Sequence, residues 1–189
     1  MAILLAALFA PKRGTEAMNL QSNDFELFDV PERFAQDRNA LATRWKQLQR
    51  EAHPDKFAAQ GAAAQRAAMQ WSVRINEAYQ RLKEPLKRAS YLCELNGAPI
   101  HAETNTAMPS AFLVQQMAWR EALDEAETIE EMHEIATMSK KNTDEQLLKV
   151  EQFIDADRDF AAAAQQVRSL MFTERFASEV DARIELLGQ

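Results

Sequence analysis

The sequence predicts an all-α protein: an antiparallel helical hairpin with short flanking helices, followed by a three-helix bundle. Turn formers are scarce for 189 residues, with four glycines and six prolines, whereas Ala is abundant. That balance suits helices better than a doubly wound or all-β fold. Apolar side chains also recur at intervals of three and four through the long segments, the period of one helix face. With 47 % hydrophobic and 27 % charged residues, the chain can bury a core and is not expected to be disordered. Its length allows one domain or two small ones.

Residues 1–18 are expected to be a leader outside the fold. Ala2 to Ala10 is apolar and Pro11-Lys12-Arg13 follows, so the run is too short to cross a bilayer and lacks the leading basic residues of a signal peptide. A membrane-surface anchor or targeting segment is the alternative, and Met18 is a candidate start. The first domain is placed at 19–96. In it, Asn23 and Asp24 open a short segment carrying Phe25, Leu27 and Phe28, which Pro31 closes. Asp37 is a good N-cap for a helix whose Leu41, Trp45, Leu48 and Ala52 share one face, with Lys46 and Arg50 roughly opposite. That helix stops at His53-Pro54, because proline disfavours helix at the residue before it.

A second long helix is expected from about Ala62 to Leu82. Its Ala64, Ala68, Trp71, Ile75, Ala78 and Leu82 form the seam of an antiparallel hairpin. Pro85 suits the first turn of a short helix with Tyr91, Leu92 and Leu95, which Asn96-Gly97 ends. Residues 97–109 read as a linker, with one Gly, two Pro and no periodicity. The domain at 110–189 then takes helices at about 110–126, 129–154 and 158–187. Thr128 with Glu131 forms a capping box for the second of these, and Asp157 is the expected cap of the third.

Charge divides the chain in the same way. Residues 1–100 carry 14 Lys and Arg against 11 Asp and Glu, while 101–189 carry 8 against 18. Opposite signs suggest two modules with different partners, and the overall −7 argues against a nucleic-acid partner. The lone Cys93 excludes an internal disulfide and any CxxC site, which suits a reducing, cytoplasmic setting. It is expected to pack as a small hydrophobe, and the eight methionines as core fillers. His101 in the linker, and His133 beside Glu130, Glu131 and Glu134, do not group into metal-ligand spacing, so no metal is expected.

The hairpin turn reads His53-Pro54-Asp55-Lys56-Phe57. Taken alone this is a plain turn, with proline as helix breaker. A His–Asp general-base pair is disfavoured, because no nucleophile, oxyanion motif or third member accompanies it. Docking fits better: Asp55 offers a carboxylate to a partner's arginine, His53 a donor and an acceptor, and Pro54 holds the loop rigid. Lys46, Arg50 and Lys56 add a positive stripe for steering. Phe25-Glu26-Leu27-Phe28 before the loop, with Ile75-Asn76-Glu77-Ala78-Tyr79 and Glu84-Pro85-Leu86 after it, extend the pattern. Together these residues resemble the J-domain family of co-chaperones over about 22–95. The resemblance implies that His53, Pro54 and Asp55 dock on a DnaK-type chaperone and stimulate its ATP hydrolysis, aided by the basic face of the preceding helix. Family members usually carry an aromatic where Ala52 stands, a change expected to weaken local packing without removing the contact.

Beyond Pro109, Phe112, Trp119, Leu123 and Ala126 fall on one helix face, and Leu113, Val114 and Met117 on another that continues into Glu121 and Glu125. One stripe suffices for a three-helix bundle. The second is either a wide core face or an exposed partner site, and periodicity alone favours the core. A J domain, a short linker and an acidic three-helix bundle, with Ala111-Phe112-Leu113 through Arg120-Glu121-Ala122-Leu123-Asp124-Glu125 and Val167-Arg168-Ser169-Leu170-Met171-Phe172, resemble HscB-type co-chaperones of iron–sulfur cluster assembly. The resemblance implies a non-enzymatic protein that recruits an HscA-type ATPase. It also implies that Leu113, Val114, Met117, Glu121, Glu125 and Phe172 bind an IscU-type scaffold protein. Phe172 taken alone reads equally as a core aromatic, and relatives often carry a carboxylate where Ala118 stands. No cofactor is expected: ATP belongs to the chaperone, and one cysteine cannot hold a cluster. Two rival readings are a general J-protein acting on unfolded clients and a helical scaffold with an incidental His-Pro-Asp. The former is disfavoured because no Gly/Phe-rich or cysteine-repeat region follows the J domain.

Overall fold

A computed structural model describes residues 21–101 and 108–187, and among these the chain is helical with no strand. The expected leader at 1–18 and residues 102–107 of the expected linker lie outside the described residues. The chain divides into two compact units between Arg88 and Ala89.

The first unit opens with α1, Asp24–Phe28. The Asn23 side chain accepts from the Glu26 N–H at 2.8 Å, and the Glu26 carboxylate accepts from the Asn23 N–H at 2.9 Å, a closed capping box. Asp29, at φ 55°, ends this single turn. Its Phe25, Leu27 and Phe28 are all buried. Helix α2, Arg38–Glu51, starts as expected on Asp37, whose carboxylate accepts from the Asn39 and Ala40 N–H groups. Helix α3, Ala62–Lys83, returns antiparallel to it, burying Ala68, Trp71, Ile75, Ala78 and Leu82.

Polar contacts set the register of this hairpin. Trp45 donates its indole N–H to Asn76 Oδ1 at 2.9 Å and stacks on Tyr79, with ring centroids 4.8 Å apart. Gln49 donates to the same Asn76 oxygen at 2.8 Å, and Ser72 Oγ donates to the Ala52 carbonyl at 3.1 Å. Each step along α2 therefore meets an earlier step along α3. Asp24, fully buried, pairs with Arg74 at 2.6 Å and Arg81 at 2.9 Å, tying α1 to α3.

Helix α4, Pro85–Leu95, contains the division between the units. On its second half Ala89, Leu92 and Cys93 are buried. Gly97, at φ 76°, donates to the Glu94 carbonyl and Ala98 to the Cys93 carbonyl, the paired bonds of a Schellman stop that needs a left-handed residue at that point. Within the second unit Arg168 donates to the Ile100 carbonyl at 3.2 Å.

The bundle comprises α5, Ser110–Glu125, α6, Ile129–Glu151, and α7, Phe160–Leu187. Trp119 and Leu123 of α5 meet Ile135 of α6 and Phe176 and Val180 of α7 in one buried cluster. The Thr128–Glu131 capping box forms as expected, and the two N–H donors it supplies to the Glu131 carboxylate, from Glu127 and Thr128, hold that acid below its ordinary range. Asp157 does not cap α7. Helix α6 runs on into a wider π turn at Gln152–Ala156, where the Asp157 N–H reaches back to the Gln152 carbonyl. Arg158, at φ 55°, then reverses the chain, so Asp159 is the residue whose carboxylate accepts from the Ala162 N–H. The methionines also depart from expectation. Met132 is core, but Met69, Met117, Met138 and Met171 are exposed, because helical spacing fixes the face a residue shares and not which face is covered.

Candidate functional site

Two surfaces stand out, one on each unit. The first is the turn between α2 and α3. Helix α2 ends at Ala52, whose N–H still donates to the Leu48 carbonyl at 2.9 Å, while His53 is extended at φ −65° and ψ 125°, as a residue before proline must be. Pro54 then begins a 3-10 segment, Pro54–Gln60. Its first turn is capped from the histidine: His53 Nδ1 accepts from the Asp55 N–H at 3.3 Å, and the Lys56 N–H donates to the His53 carbonyl at 3.0 Å. Phe57 and Ala52, both buried, anchor the loop on either side. The small Ala52 is thus fully packed.

That bonding leaves both side chains largely exposed, His53 at 56 % and Asp55 at 87 %. With Nδ1 accepting from the Asp55 N–H, Nε2 is the donor of a neutral His53 ring. The Asp55 carboxylate lies 3.7 Å from Nδ1, too far for a hydrogen bond. A general-base pair needs the reverse arrangement, with Nδ1–H donating to the acid. The geometry is therefore not that of a catalytic dyad. Lys46, Arg50 and Lys56 are exposed, and none is in an ion pair among the described residues.

The second surface lies on α5. Its inner face does what periodicity predicts: Trp119 and Leu123 are buried, with Trp119 against Phe176 at a centroid distance of 5.4 Å. The other face is not core, contrary to what periodicity favours. Leu113, Val114 and Met117 are 49 %, 67 % and 71 % exposed, and Phe172 of α7 is 43 % exposed. Among the described residues of the second unit, α6 and α7 pack on the face of α5 that carries Trp119 and Leu123. Phe112, half-buried, joins the two helices by meeting Phe172 edge-on at 6.4 Å. Glu121 and Glu125 are exposed and extend the row, and Ala118 is exposed beside it.

Sequence reasoning missed the residues that hold α5 in place. Arg183 of α7 donates to the Leu123 carbonyl at 2.9 Å and pairs with Asp124 at 2.8 Å, satisfying the end of α5. Arg120 reaches Glu179 at 3.5 Å. No local sequence signal marks these partners, which lie far apart in the chain. Cys93 is buried and its thiol is pushed up to about 11, chiefly by burial, so it is a poor ligand or nucleophile at neutral pH.

A hairpin that presents His-Pro-Asp at its turn, joined to a helical bundle, defines a J-domain co-chaperone. Comparison with known proteins narrows the class. Residues 108–181 match the family model of the HSCB C-terminal oligomerisation domain. The chain is 47 % identical to a Co-chaperone protein HscB homolog of Burkholderia cenocepacia over 90 % of this chain and 98 % of that protein. It is 44 % identical to its counterpart in Paraburkholderia xenovorans, over 89 % and 98 %. Chaperone HscB from Vibrio cholerae superposes with a TM-score of 0.77 at 32 % identity, covering 88 % of this chain and 99 % of that one. Human co-chaperone protein HscB gives 0.80 at 31 % identity, covering 96 % and 90 %. The chain belongs to the HscB co-chaperone family, and it is a co-chaperone and not an enzyme. Among the described residues no helix is long and apolar enough to cross a membrane.

Proposed function

We propose that this co-chaperone stimulates the ATPase of an HscA/DnaK-type chaperone and delivers to it an IscU-type scaffold protein during iron–sulfur cluster biogenesis in the cytoplasm. His53, Pro54 and Asp55, with Lys56, contact the chaperone, and Lys46 and Arg50 steer the encounter. Leu113, Val114, Met117 and Phe172 supply an apolar seat for the scaffold protein, edged by Glu121 and Glu125. The observation that carries this reading is the uncovered apolar row on α5 that runs into carboxylates. A soluble bundle has no folding use for such a row, and it suits one partner with an apolar patch beside basic residues. ATP is bound by the chaperone, and the cluster is cargo carried by the scaffold protein.

The test separates the two surfaces. His53→Gln removes the loop's imidazole donor geometry while α2 and α3 keep their seam. Stimulation of the chaperone's ATP hydrolysis should fall to the unstimulated rate, with scaffold binding unchanged by titration calorimetry. Normal stimulation by the variant would sink the docking role of the loop.

A further inference from the structure

We propose that Met117 is an oxidation site that controls the α5 surface: a hydroperoxide converts its thioether to the sulfoxide and thereby releases the scaffold protein. This rests on the docking role of α5 proposed above. Met117 is 71 % exposed, more than Leu113, Val114 or Phe172. It stands one helical turn after Leu113 and Val114 and one turn before Glu121, where the apolar row passes into the acidic one. Nothing on the chain competes for the oxidant as a thiol would. The sole cysteine, Cys93, is fully buried and held as the neutral thiol, with its titration near pH 11. The ordinary first target of a peroxide is a thiolate, so in this chain the accessible reactive sulfur is a thioether.

The chemistry balances with one hydroperoxide. A sulfur lone pair attacks the distal peroxide oxygen, the O–O bond breaks, an S–O bond forms, and the remaining oxygen leaves as water or alcohol after proton transfer. Sulfur loses two electrons and the peroxide gains them. A thiol-dependent reductase reverses the step.

The product is unsuited to a buried apolar contact. A flexible, polarisable apolar group becomes a strong hydrogen-bond acceptor. Its neighbours one turn away on α5 are Leu113, Val114, Arg120 and Glu121; of these only Arg120 donates, and its guanidinium is drawn to Glu179 of α7 at 3.5 Å. Docking against the partner's apolar patch would strip water from the sulfoxide without replacing its bonds. The expected loss is about tenfold in affinity, equivalent to about 1.4 kcal/mol. By linkage, a bound scaffold protein shields Met117 from oxidation.

The test uses the full chain. Wild type and Met117→Leu are treated with hydrogen peroxide, quenched, mapped for sulfoxides by peptide mass spectrometry, and titrated with an IscU-type scaffold protein. Met69, exposed on the first unit, serves as the oxidation control. Each protein's affinity after peroxide is read against its own untreated value, so a change in the starting affinity of Met117→Leu does not enter the comparison. Peroxide should weaken wild type about tenfold and the variant less than twofold, a methionine sulfoxide reductase should restore wild type, and prebound scaffold should protect Met117 but not Met69. Full sulfoxide at Met117 with undiminished affinity would overturn the proposal. So would an oxidised Met117→Leu protein that loses affinity as wild type does, which would place the effect at Met171 or Met138. Failure of untreated wild type to bind would remove the docking role of α5 itself, a result distinct from both.

Discussion

Replacing Asp24 by Asn probes the ion-pair lock that joins α1 to the hairpin. The carboxylate is fully buried and meets two guanidinium groups, Arg74 at 2.6 Å and Arg81 at 2.9 Å. Asn keeps the shape and one acceptor but leaves both cations without their counter-charge. Breaking a buried pair by removing one partner costs about 3–5 kcal/mol, because the other charge stays desolvated. Here that figure must be reduced. The Arg81 side chain is 40 % exposed and can turn to water, whereas Arg74 is only 19 % exposed and also holds the Ser22 carbonyl at 2.9 Å. Counting Arg74 nearly in full and Arg81 as a surface pair gives about 2–4 kcal/mol. Urea unfolding followed by tryptophan emission reports the first unit through Trp45 and Trp71, while Trp119 reports the second. The first-unit midpoint should fall and scaffold binding by α5 should not change. A loss under about 0.5 kcal/mol would refute the reasoning and make the lock no stronger than an exposed pair.

Three further outcomes are expected. Joint replacement of Leu113, Met117 and Phe172 by Ala should weaken scaffold binding by about tenfold or more, with little change in melting temperature because all three are exposed; a large drop in melting temperature instead would mark them as core. Raising salt from about 0.1 to 1 M shortens the screening length from about 10 to 3 Å, so association of the chaperone with the Lys46, Arg50 and Lys56 surface should slow in stopped-flow mixing while urea stability of the hairpin changes little. Cys93 has a folded-state pKa raised from 9.0 to about 11, so its burial favours the folded state fully below about pH 9, and that contribution is lost as pH climbs toward 11. Alkylation by iodoacetamide at pH 8 should accordingly be slow in the native protein and fast in urea.

Much of the fold is legible because it is encoded locally. Asn23, Asp37 and Thr128 each announce a helix start within three residues, and Gly97 a helix stop. The wrong cap at Asp157 follows from the same rule: three aspartates, Asp155, Asp157 and Asp159, stand close together, and only the π turn decides which one faces the new helix. The apolar row on α5 is legible as surplus, but periodicity assigns a residue to a face without saying whether another helix covers it, so only the family resemblance implies its exposure. The locks at Asp24 and Arg183 were not legible at all. Each joins residues some fifty to sixty positions apart, and a charged side chain that will be half-buried looks the same in sequence as one that will be solvated.

The two surfaces gain from belonging to separate units of one chain. Neither is part of a core: the His53 loop is anchored by Phe57 and Ala52, and the α5 row lies opposite Trp119 and Leu123. Substitutions at the tips, such as His53→Gln or Met117→Leu, can therefore alter recognition with little change in folding free energy, whereas the same surfaces built into one core would couple the two. On the proposed function this separation has a kinetic use. A chain that holds the scaffold protein on α5 brings it to the chaperone at the effective concentration set by the tether, and the second encounter becomes intramolecular. The charge split serves the same end. The basic α2 face and the acidic bundle attract partners of opposite sign, so each surface disfavours the other's ligand through like-charge repulsion.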